Sequence, residues 1–367
     1  MAAHGVLSVR DLNRATLARQ MLLERAREVP VAVAVERLAG MQAQEPKHPF
    51  IGLWSRLEGF AADDLLGALA TREVVRATLM RSTLHLLSAA DYAALRLALQ
   101  PPTSLALRVL GARADGLDPD AVVAAARELL AGSPLTFDAI RAGLQERFPD
   151  VNDRALGYAA RTLVALVMVP DHTARWGYPR VCEFGLAEEF LDRQLAAAAP
   201  EALVTRYLGA FGPASAADVK TWSGVGGMKS VLEGMRDRLE VFADERGREL
   251  FDLPDAPRPG ADAPAPVRFM PEFDNLVLAY DDRTRIIAAE HRPLVTTKNL
   301  RVKATFLVDG VVAGIWTLAV RRRVATVSLE PFGVLPKRTV KALTTEGEAL
   351  ARFAEPAAAS HEVVVAS

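Results

Sequence analysis

The sequence predicts an α+β fold made of several compact units, and three observations support this prediction. At 367 residues the chain exceeds the size at which one hydrophobic core usually stops growing. Groups of helical segments recur over the first three-quarters of the chain, and each group is followed by short apolar runs typical of a β-ribbon. Beyond residue 266 the pattern changes to a series of strands followed by one amphipathic helix.

The first unit begins with apolar residues at helical spacing over 12–26 and a second helical segment over 31–38. Residues 74–87 are rich in β-branched side chains and alternate loosely, which predicts a pair of strands. Ser88 and Asp91 then form a capping-box pattern, which predicts the start of a further helix. The first unit is therefore expected to contain helices and one β-ribbon.

A similar plan recurs twice. In the first repeat, helices are predicted over 118–131, 134–148 and from Asn152, with strands within 166–184. In the second repeat, helices are predicted over 203–211, 213–222 and 227–236, with strands at 239–242 and 249–251. A helix–helix–helix–ribbon unit is typical of a winged helix, so we interpret the pattern as a weak internal repeat. An ordinary all-α protein with proline-started helices is the alternative.

Residues 254–266, PDAPRPGADAPAP, predict a linker with too few apolar side chains to pack. Strands are predicted after it at 267–269, 275–280, 285–289, 302–308, 311–319, 324–329 and 362–365, with a helix over 337–353. Asp309-Gly310 between two apolar runs indicates a two-residue hairpin turn. A small β-barrel or sandwich closed by the helix is expected, and the predicted domains are 1–112, 113–196, 197–260 and 261–367.

Composition excludes several classes of protein. Hydrophobic residues make up 50% of the chain and charged residues 24%, which fits a soluble globular protein. Lysine and arginine total 44 against 45 acids, so attraction to phosphate would require local clustering of charge. One cysteine, Cys182, excludes an internal disulfide and a multi-cysteine metal site. The N-terminus lacks a signal-peptide pattern and no apolar run approaches the roughly 20 residues of a spanning helix, so a cytoplasmic protein is expected.

Common catalytic motifs are absent from the sequence. There is no HExxH, GxSxG or GxGxxG, and residues 224–230 fail as a P-loop because Met228 occupies the position of the glycine before lysine. The six histidines show no metal-ligand spacing. We therefore expect neither a metal nor a cofactor.

The most specific polar pattern is Met41-Gln-Ala-Gln44, which follows Gly40. Residues two apart on extended backbone project to the same side, so the amides of Gln42 and Gln44 could address one small target. Such a pair is also common in solvated loops, which is the structural alternative.

Four stretches of sequence carry a family resemblance. They are residues 12–24 (LNRATLARQMLLE), 40–44 (GMQAQ), 79–86 (LMRSTLHL) and 271–275 (PEFDN). Together they resemble the bacterial AlkZ and YcaQ group of winged-helix DNA glycosylases over nearly the whole chain. The resemblance implies three tandem winged-helix domains and a C-terminal β-barrel, arranged as a C-shaped clamp around duplex DNA.

The resemblance also implies an activity and two catalytic residues. Members of this group excise N7-alkylated purines, and some remove bulky antibiotic adducts or unhook interstrand crosslinks. The AlkZ branch carries a Gln-aliphatic-Gln motif that matches Gln42 and Gln44, whereas the YcaQ branch has an acid at the second position. Ala43 is smaller than the aliphatic residue typical of this motif, which leaves the substrate open. Self-resistance to a DNA-alkylating natural product is one implied role.

Glutamine suits this chemistry for a physical reason. Cleavage of an N-glycosidic bond usually needs an acid on the leaving group and a carboxylate to activate water. An N7-alkylated purine is already cationic, so it departs as a neutral base without an acid. Two amides then need only to hold a water against C1′, and a neutral purine is expected to be a very poor substrate.

Carboxylates offer a rival site. Glu272 and Asp274 also stand two residues apart and could form a water-activating pair. The alternative is a structural corner in which these acids cap turns or pair with arginine.

Basic residues are the candidates for DNA contacts. They are Arg76, Arg81, His85, Arg283, Arg285, Lys298, Arg301 and Lys303, with Arg321, Arg322 and Arg323 as further phosphate contacts. Arg283 and Arg285 lie at a predicted hairpin tip, which the resemblance implies could probe the minor groove. His85 could instead be hydrogen-bonded within the fold.

The expected partner is double-stranded DNA containing alkylated purines, bound by a monomer. Two other functions remain open at this point: a winged-helix regulator that binds DNA without base release, and an interaction module that does not bind DNA.

Overall fold

The computed structural model describes residues 5–297, 299 and 301–366. The helices are α1 Val9–Arg19, α2 Val31–Arg37, α3 Lys47–Trp54, α4 Ala62–Ala70, α5 Ala89–Leu95, α6 Gln100–Leu105, α7 Pro119–Leu130, α8 Phe137–Arg147, α9 Asp153–Leu163, α10 Ala187–Leu191, α11 Pro200–Phe211, α12 Ala216–Ser223, α13 Met228–Gly234, α14 Arg292–Val295 and α15 Lys337–Ala354. The strands are β1 Val6–Leu7, β2 Met41–Gln42, β3 Val74–Thr78, β4 Leu84–Ser88, β5 Leu135–Thr136, β6 Leu166–Met168, β7 Glu183–Leu186, β8 Glu240–Asp244, β9 Glu249–Asp252, β10 Arg268–Met270, β11 Thr305–Val308, β12 Val311–Arg321, β13 Val324–Pro331 and β14 Ser360–Val365.

Polar caps start the helices where the sequence predicts them. The side chains of Ser88, Asp118 and Asn152 accept hydrogen bonds from the first backbone N–H groups of α5, α7 and α9. The first helix is shorter than predicted because Met21, at φ 56°, leaves the helical conformation. These caps confirm the predicted starts of three helices.

The order helix, helix, helix, ribbon is present in the second and third parts of the chain. Helices α7 to α9 precede β6 and β7, and helices α11 to α13 precede β8 and β9. The ribbons of the first two parts join in one six-stranded sheet of order β2-β4-β3-β6-β7-β5, in which Arg76 of β3 is opposite Met168 of β6. This sheet crosses the predicted boundary between residues 112 and 113, and the division into four domains stays a prediction.

The C-terminal part is an open sheet, so the predicted β-barrel is wrong. Five strands pair in the order β10-β11-β12-β13-β14, and β10 and β14 form its two edges. Helix α15 packs against this sheet and buries Leu343 and Leu350 against Phe269 and Val327. One face is therefore covered by a helix, and no closed barrel occurs among the described residues. The predicted Asp309-Gly310 turn is confirmed, with φ values of 48° and 80°.

Two predicted strands, 275–280 and 285–289, are wrong. Residues Asn275–Val277 form a short 3₁₀ helix whose first turn is capped by Asp274. Ile286 and Ile287 are buried in the largest apolar cluster, but both of their N–H groups donate to the carbonyl oxygen of Arg283 in a turn. The apolar residues of this segment anchor a loop to the core instead of pairing as strands, and the expected hairpin tip at Arg283 and Arg285 is absent.

The linker is held by charged groups, and its Ala265 also packs against the largest apolar cluster. Residues 254–266 contain no helix or strand. The guanidinium of Arg14 donates to the carbonyl oxygen of Ala263, and that of Arg258 pairs with Asp252 and Glu240. Of the described helices, none is both long and apolar enough to cross a membrane.

Candidate functional site

The two glutamines lie at the edge of the six-stranded sheet. Gly40, at φ +81°, turns the chain from α2 into β2, and a Cβ at this position would lie 2.9 Å from the side chain of Leu87. Strand β2 pairs antiparallel with β4, so Gln42 is directly opposite His85. The Ala43 N–H continues this pairing by donating to the Leu84 carbonyl oxygen at 2.7 Å. The strand ends at Gln42 and the chain bends at Gln44, so the predicted extended backbone covers only the first glutamine of the motif.

The amide of Gln42 is held by an arginine. Its side chain is 7% exposed, and its Oε1 accepts a hydrogen bond of 2.9 Å from Nη2 of Arg81. Because a guanidinium only donates hydrogen bonds, this contact fixes which end of the amide faces Arg81. The same guanidinium donates to Oδ1 of Asn275 at 3.2 Å and to the Trp222 carbonyl oxygen. Arg81 thus joins Gln42 to two distant segments of the chain.

Gln44 is held by the backbone. Its half-buried side chain accepts a hydrogen bond of 2.9 Å at Oε1 from the N–H of Leu84. The orientation of this amide is also fixed, since a backbone N–H only donates. The Oε1 of each glutamine keeps a second lone pair, and each Nε2 carries two hydrogens. The two amides can therefore both accept from and donate to a small polar molecule.

Arg76 supports the motif from behind, and its predicted role as a DNA contact is wrong. Only 4% of the residue is exposed. Its Nε donates to the Ala43 carbonyl oxygen at 2.8 Å, its Nη2 donates to the Gln44 carbonyl oxygen at 2.9 Å, and the guanidinium stacks on Tyr178. The side chain donates these hydrogen bonds inside the protein and fixes the backbone that carries both glutamines.

An open groove of about 920 Å³ runs past the two glutamines. Among the described residues, its charged lining consists of five arginines and two glutamates: Arg81, Arg161, Arg283, Arg292, Arg301, Glu45 and Glu272. We call residues 42–44 and 76–85 the inner wall and the described residues between 272 and 302 the outer wall. Excess positive charge in a groove attracts a polyanion despite the net charge of −1 of the whole chain.

The cationic groups of the groove differ in their surroundings. Arg301 is exposed and forms a bidentate ion pair with Glu272, at 2.9 to 3.1 Å. Arg283 is half-buried and donates from Nε to the Tyr280 carbonyl oxygen at 3.3 Å. Burial, with the nearby charge of Arg283, lowers the pKa of Arg81 to about 10. Arg81 therefore stays protonated near neutral pH in surroundings that favour an anion.

His85 is buried in the inner wall, so its predicted contact with DNA is wrong. The residue is 0% exposed, and Nδ1 lies 3.0 Å from the Thr83 carbonyl oxygen. Burial, with the charge of Arg81, lowers its pKa to about 3. The imidazole is neutral near neutral pH and packs beneath the glutamines.

Arg285 is also buried, which contradicts its predicted contact with the minor groove. Its guanidinium donates to the Pro213 carbonyl oxygen at 2.9 Å and stacks on the ring of Tyr280. Lys303 is half-buried beside the outer wall and is not among the described lining residues of the groove. Lys298 lies outside the described residues.

The rival pair of carboxylates is separated by the structure. Asp274 is buried and forms a bidentate ion pair with Arg56, with Nη–Oδ distances of 3.0 and 2.9 Å. Its Oδ1 also accepts from the N–H of Leu276. Asp274 is therefore part of a structural corner, whereas Glu272 lies in the groove and is paired with Arg301.

Sequence reasoning missed three charged residues of the groove. Arg161 comes from α9 of the second part of the chain and donates to Thr78 at 3.3 Å. Arg292 opens α14 and is exposed, and Glu45 is exposed beside Gln44. A single charged residue in a helix or loop carries no sequence signal for such a location, although Glu45 directly follows the glutamine motif.

A second, small space lies behind Gln42. This cavity of about 10 Å³ is lined by Gln20, Leu38, Gly40, Met41, Gln42, His48, Arg56, Pro271, Asp274 and Asn275. Within the described part of the chain, no three His, Cys, Asp or Glu side chains are placed to hold a metal ion.

Comparison with known proteins identifies a family and a similar solved structure. The model of the family "DNA glycosylase AlkZ-like" matches residues 35–353. The solved structure of Streptomyces sahachiroi DNA glycosylase AlkZ is similar, with a TM-score of 0.81 and 22% sequence identity over 98% of this chain and 100% of that chain. No curated protein matches the sequence. The family match spans most of the chain, and we conclude that this protein belongs to the AlkZ-like family of DNA glycosylases.

Proposed function

We propose that this chain is a monofunctional DNA glycosylase that hydrolyses the N-glycosidic bond of cationic N7-alkylated purines in duplex DNA. The observation that carries the proposal is the placement of Gln42 and Gln44 on one groove together with five arginines. Arg283, Arg292 and Arg301 would contact phosphates, Arg81 would hold Gln42, and the two amides would hold the attacking water. In this proposal the units of the chain act as tandem winged helices that clamp the duplex as a monomer.

The hydrogen bonds of the two amides support their proposed role in holding the water. Arg81 and the Leu84 N–H each occupy one lone pair of a glutamine Oε1, which leaves the other lone pair free to accept a proton of water. A water that donates to the amides turns its own lone pair away from them, toward C1′ of the sugar. The bond between C1′ and N9 breaks, the alkylated purine leaves as a neutral base, and the water loses a proton to solvent.

The protonation state of the site also supports a cationic substrate. His48 and His85 are buried, and burial lowers the pKa of each to about 3, so neither offers a proton near neutral pH. A purine that already bears a positive charge needs no acid, and bulky N7 adducts or crosslinks share this property.

Base release from duplex DNA containing N7-methylguanine tests the proposal. We expect the wild type to leave abasic sites, and we expect Gln42→Ala and Gln44→Ala each to lower the single-turnover rate by about 100-fold or more, comparable to the loss of one preorganised polar contact in other enzymes. Glu45→Gln and Glu272→Gln serve as matched controls that remove a groove carboxylate. A non-catalytic DNA-binding protein would show affinity for the duplex without base release, and loss of activity in the glutamate variants alone would assign the water to a carboxylate.

A further inference from the structure

The ring nitrogens of a buried histidine near Gln42 have no hydrogen-bond partner among the described residues. His48 lies at the start of α3 and is 2% exposed, and within that part of the chain neither Nδ1 nor Nε2 is hydrogen-bonded. An unpaired buried polar group destabilises the fold. A bound water is one way in which such a group finds a partner.

The small cavity behind Gln42 has the properties of a site for one water. Its volume of about 10 Å³ is close to the smallest space that holds a water molecule. His48 lines this cavity, and so does Arg56, whose Nε is also buried without a partner. A water in this position needs two to four polar partners, and Arg56, His48 and Gln42 supply both donors and acceptors.

Gln42 connects this cavity to the groove, because its side chain lines both spaces. Arg81 holds its Oε1 from one direction, and Asn275, which also contacts Arg81, lines the cavity. A second hydrogen bond from the cavity side would fix the rotation of the amide about its last side-chain bond. The direction of the amide toward the groove would then be set from both sides.

We propose that the cavity holds one buried water that links His48 to the amide of Gln42, which makes His48 a positioning residue for the catalytic motif. The water accepts from the Nε–H of Arg56 and from one Nε2–H of Gln42, and it donates to the unprotonated nitrogen of His48, so the second lone pair of Gln42 Oε1 remains for the attacking water. His48 does not contact the DNA. The inference rests on the proposed function of Gln42 for its effect on catalysis, but the presence of the water does not depend on it.

Nuclear magnetic resonance of the free protein tests the water site without any reaction. We expect a nuclear Overhauser effect between a long-lived water and the ring protons of His48. His361, a half-buried histidine on β14 with a protein partner for its Nε2, serves as the reference side chain. Absence of a long-lived water at His48 would overturn the proposal whether or not the protein releases bases.

Substitutions test the effect on catalysis. We expect His48→Phe to lower the single-turnover rate on N7-methylguanine by about 10- to 100-fold, as expected for a misplaced reacting group, with little change in Kd for the duplex. His48→Gln keeps a donor and an acceptor and is expected to recover part of the rate. His361→Phe is the matched control and is expected to react like the wild type.

The possible failures are distinguishable. If the wild type releases no base, the proposed function fails while the water measurement still decides the inference. If the wild type is active and folded His48→Phe reacts at the same rate, the positioning role is overturned. A loss of DNA affinity at unchanged rate would also contradict it, because His48 would then act on binding.

Discussion

The two walls of the groove both contain arginines, but these arginines do different things. On the inner wall Arg76 and Arg81 donate to the backbone and side chains of the glutamine motif. On the outer wall Arg292 and Arg301 are exposed, and the ion-pair partner of Arg301 is also in the groove. The difference indicates that the donors of Arg76 and Arg81 are used inside the protein, whereas those of Arg292 are available to an anion. The inner wall is expected to set the rate and the outer wall the affinity.

The largest effect is expected on the inner wall. Arg76→Met removes the donors to the carbonyl oxygens of Ala43 and Gln44, and Arg81→Met removes the donor to Gln42. Each change is expected to lower the single-turnover rate by about 100-fold, because the amides lose their fixed geometry. The rate is measured at saturating DNA, so that a change in binding affinity does not affect it.

Arg72→Met is the matched control for these variants. Arg72 also lies near the first ribbon, but it donates to the Phe190 carbonyl oxygen and stacks on the Phe190 ring. It is expected to leave the rate unchanged. A loss of DNA affinity without a loss of rate in Arg76→Met would contradict the assignment of the rate to the inner wall and of the affinity to the outer wall.

The next effect is expected on the outer wall. Arg283→Ala and Arg292→Ala remove groove cations, so each is expected to weaken duplex binding and to reduce the slope of log affinity against log salt by about one. The rate at saturating DNA is expected to stay at the wild-type value. Binding titrations at several salt concentrations measure the slope. If the salt slope of the affinity is unchanged and the rate is reduced, these residues act in catalysis instead of in binding.

Two buried histidines, His48 and His85, make the stability of the fold depend on pH. The pKa of His48 and of His85 is about 3 in the folded protein against 6.5 for an ordinary histidine, so the unfolded chain binds protons more readily. The stability of the fold is therefore expected to be unaffected by these groups above pH 6.5 and to fall as the pH decreases from 6.5 toward 3.

Denaturant unfolding at several pH values measures this effect. Folded His85→Phe is expected to lose about one bound proton from the pH slope of the unfolding free energy. The same slope in His85→Phe and the wild type would show that His85 is not buried in its neutral form.

The smallest effect is expected from the ion pair of the outer wall. Glu272→Gln removes the carboxylate that pairs with Arg301 and leaves the guanidinium free for phosphate. Because exposed ion pairs contribute about 0.2–1 kcal/mol, we expect only a few-fold gain in duplex affinity. Arg301→Ala is expected to change the affinity in the opposite direction. A large loss of excision rate in Glu272→Gln would instead assign this carboxylate to the reaction.

Local sequence patterns predicted those features whose geometry depends only on a few consecutive residues. The spacing of Gln42 and Gln44 on extended backbone predicts that they address one space, and both line the groove. The Asp309-Gly310 turn and the cap at Ser88 are also local, because each depends on a few consecutive residues. Such features survive folding because their hydrogen bonds lie within one segment.

Features that depend on distant segments were not predictable in this way. Burial of Arg76 and Arg285 follows from how the sheet and loops pack, and a basic residue looks the same in sequence whether it is buried or exposed. The pair of Arg56 with Asp274 spans 218 positions, so no spacing rule indicates it. Whether the C-terminal sheet closes into a barrel likewise depends on whether its two edge strands meet. The alternation of apolar and polar residues along the strands does not indicate this.

The charge of the leaving base separates hydrolysis with two amides from hydrolysis with a general acid. Identical duplexes with one N7-methylguanine or one hypoxanthine, a neutral purine, are compared under single-turnover conditions at saturating wild-type protein. We expect N7-methylguanine to be released faster by at least about 100-fold, the lower end of what a general acid contributes. Release of hypoxanthine at a similar rate would overturn the proposed mechanism, because the site would then have to protonate the departing base.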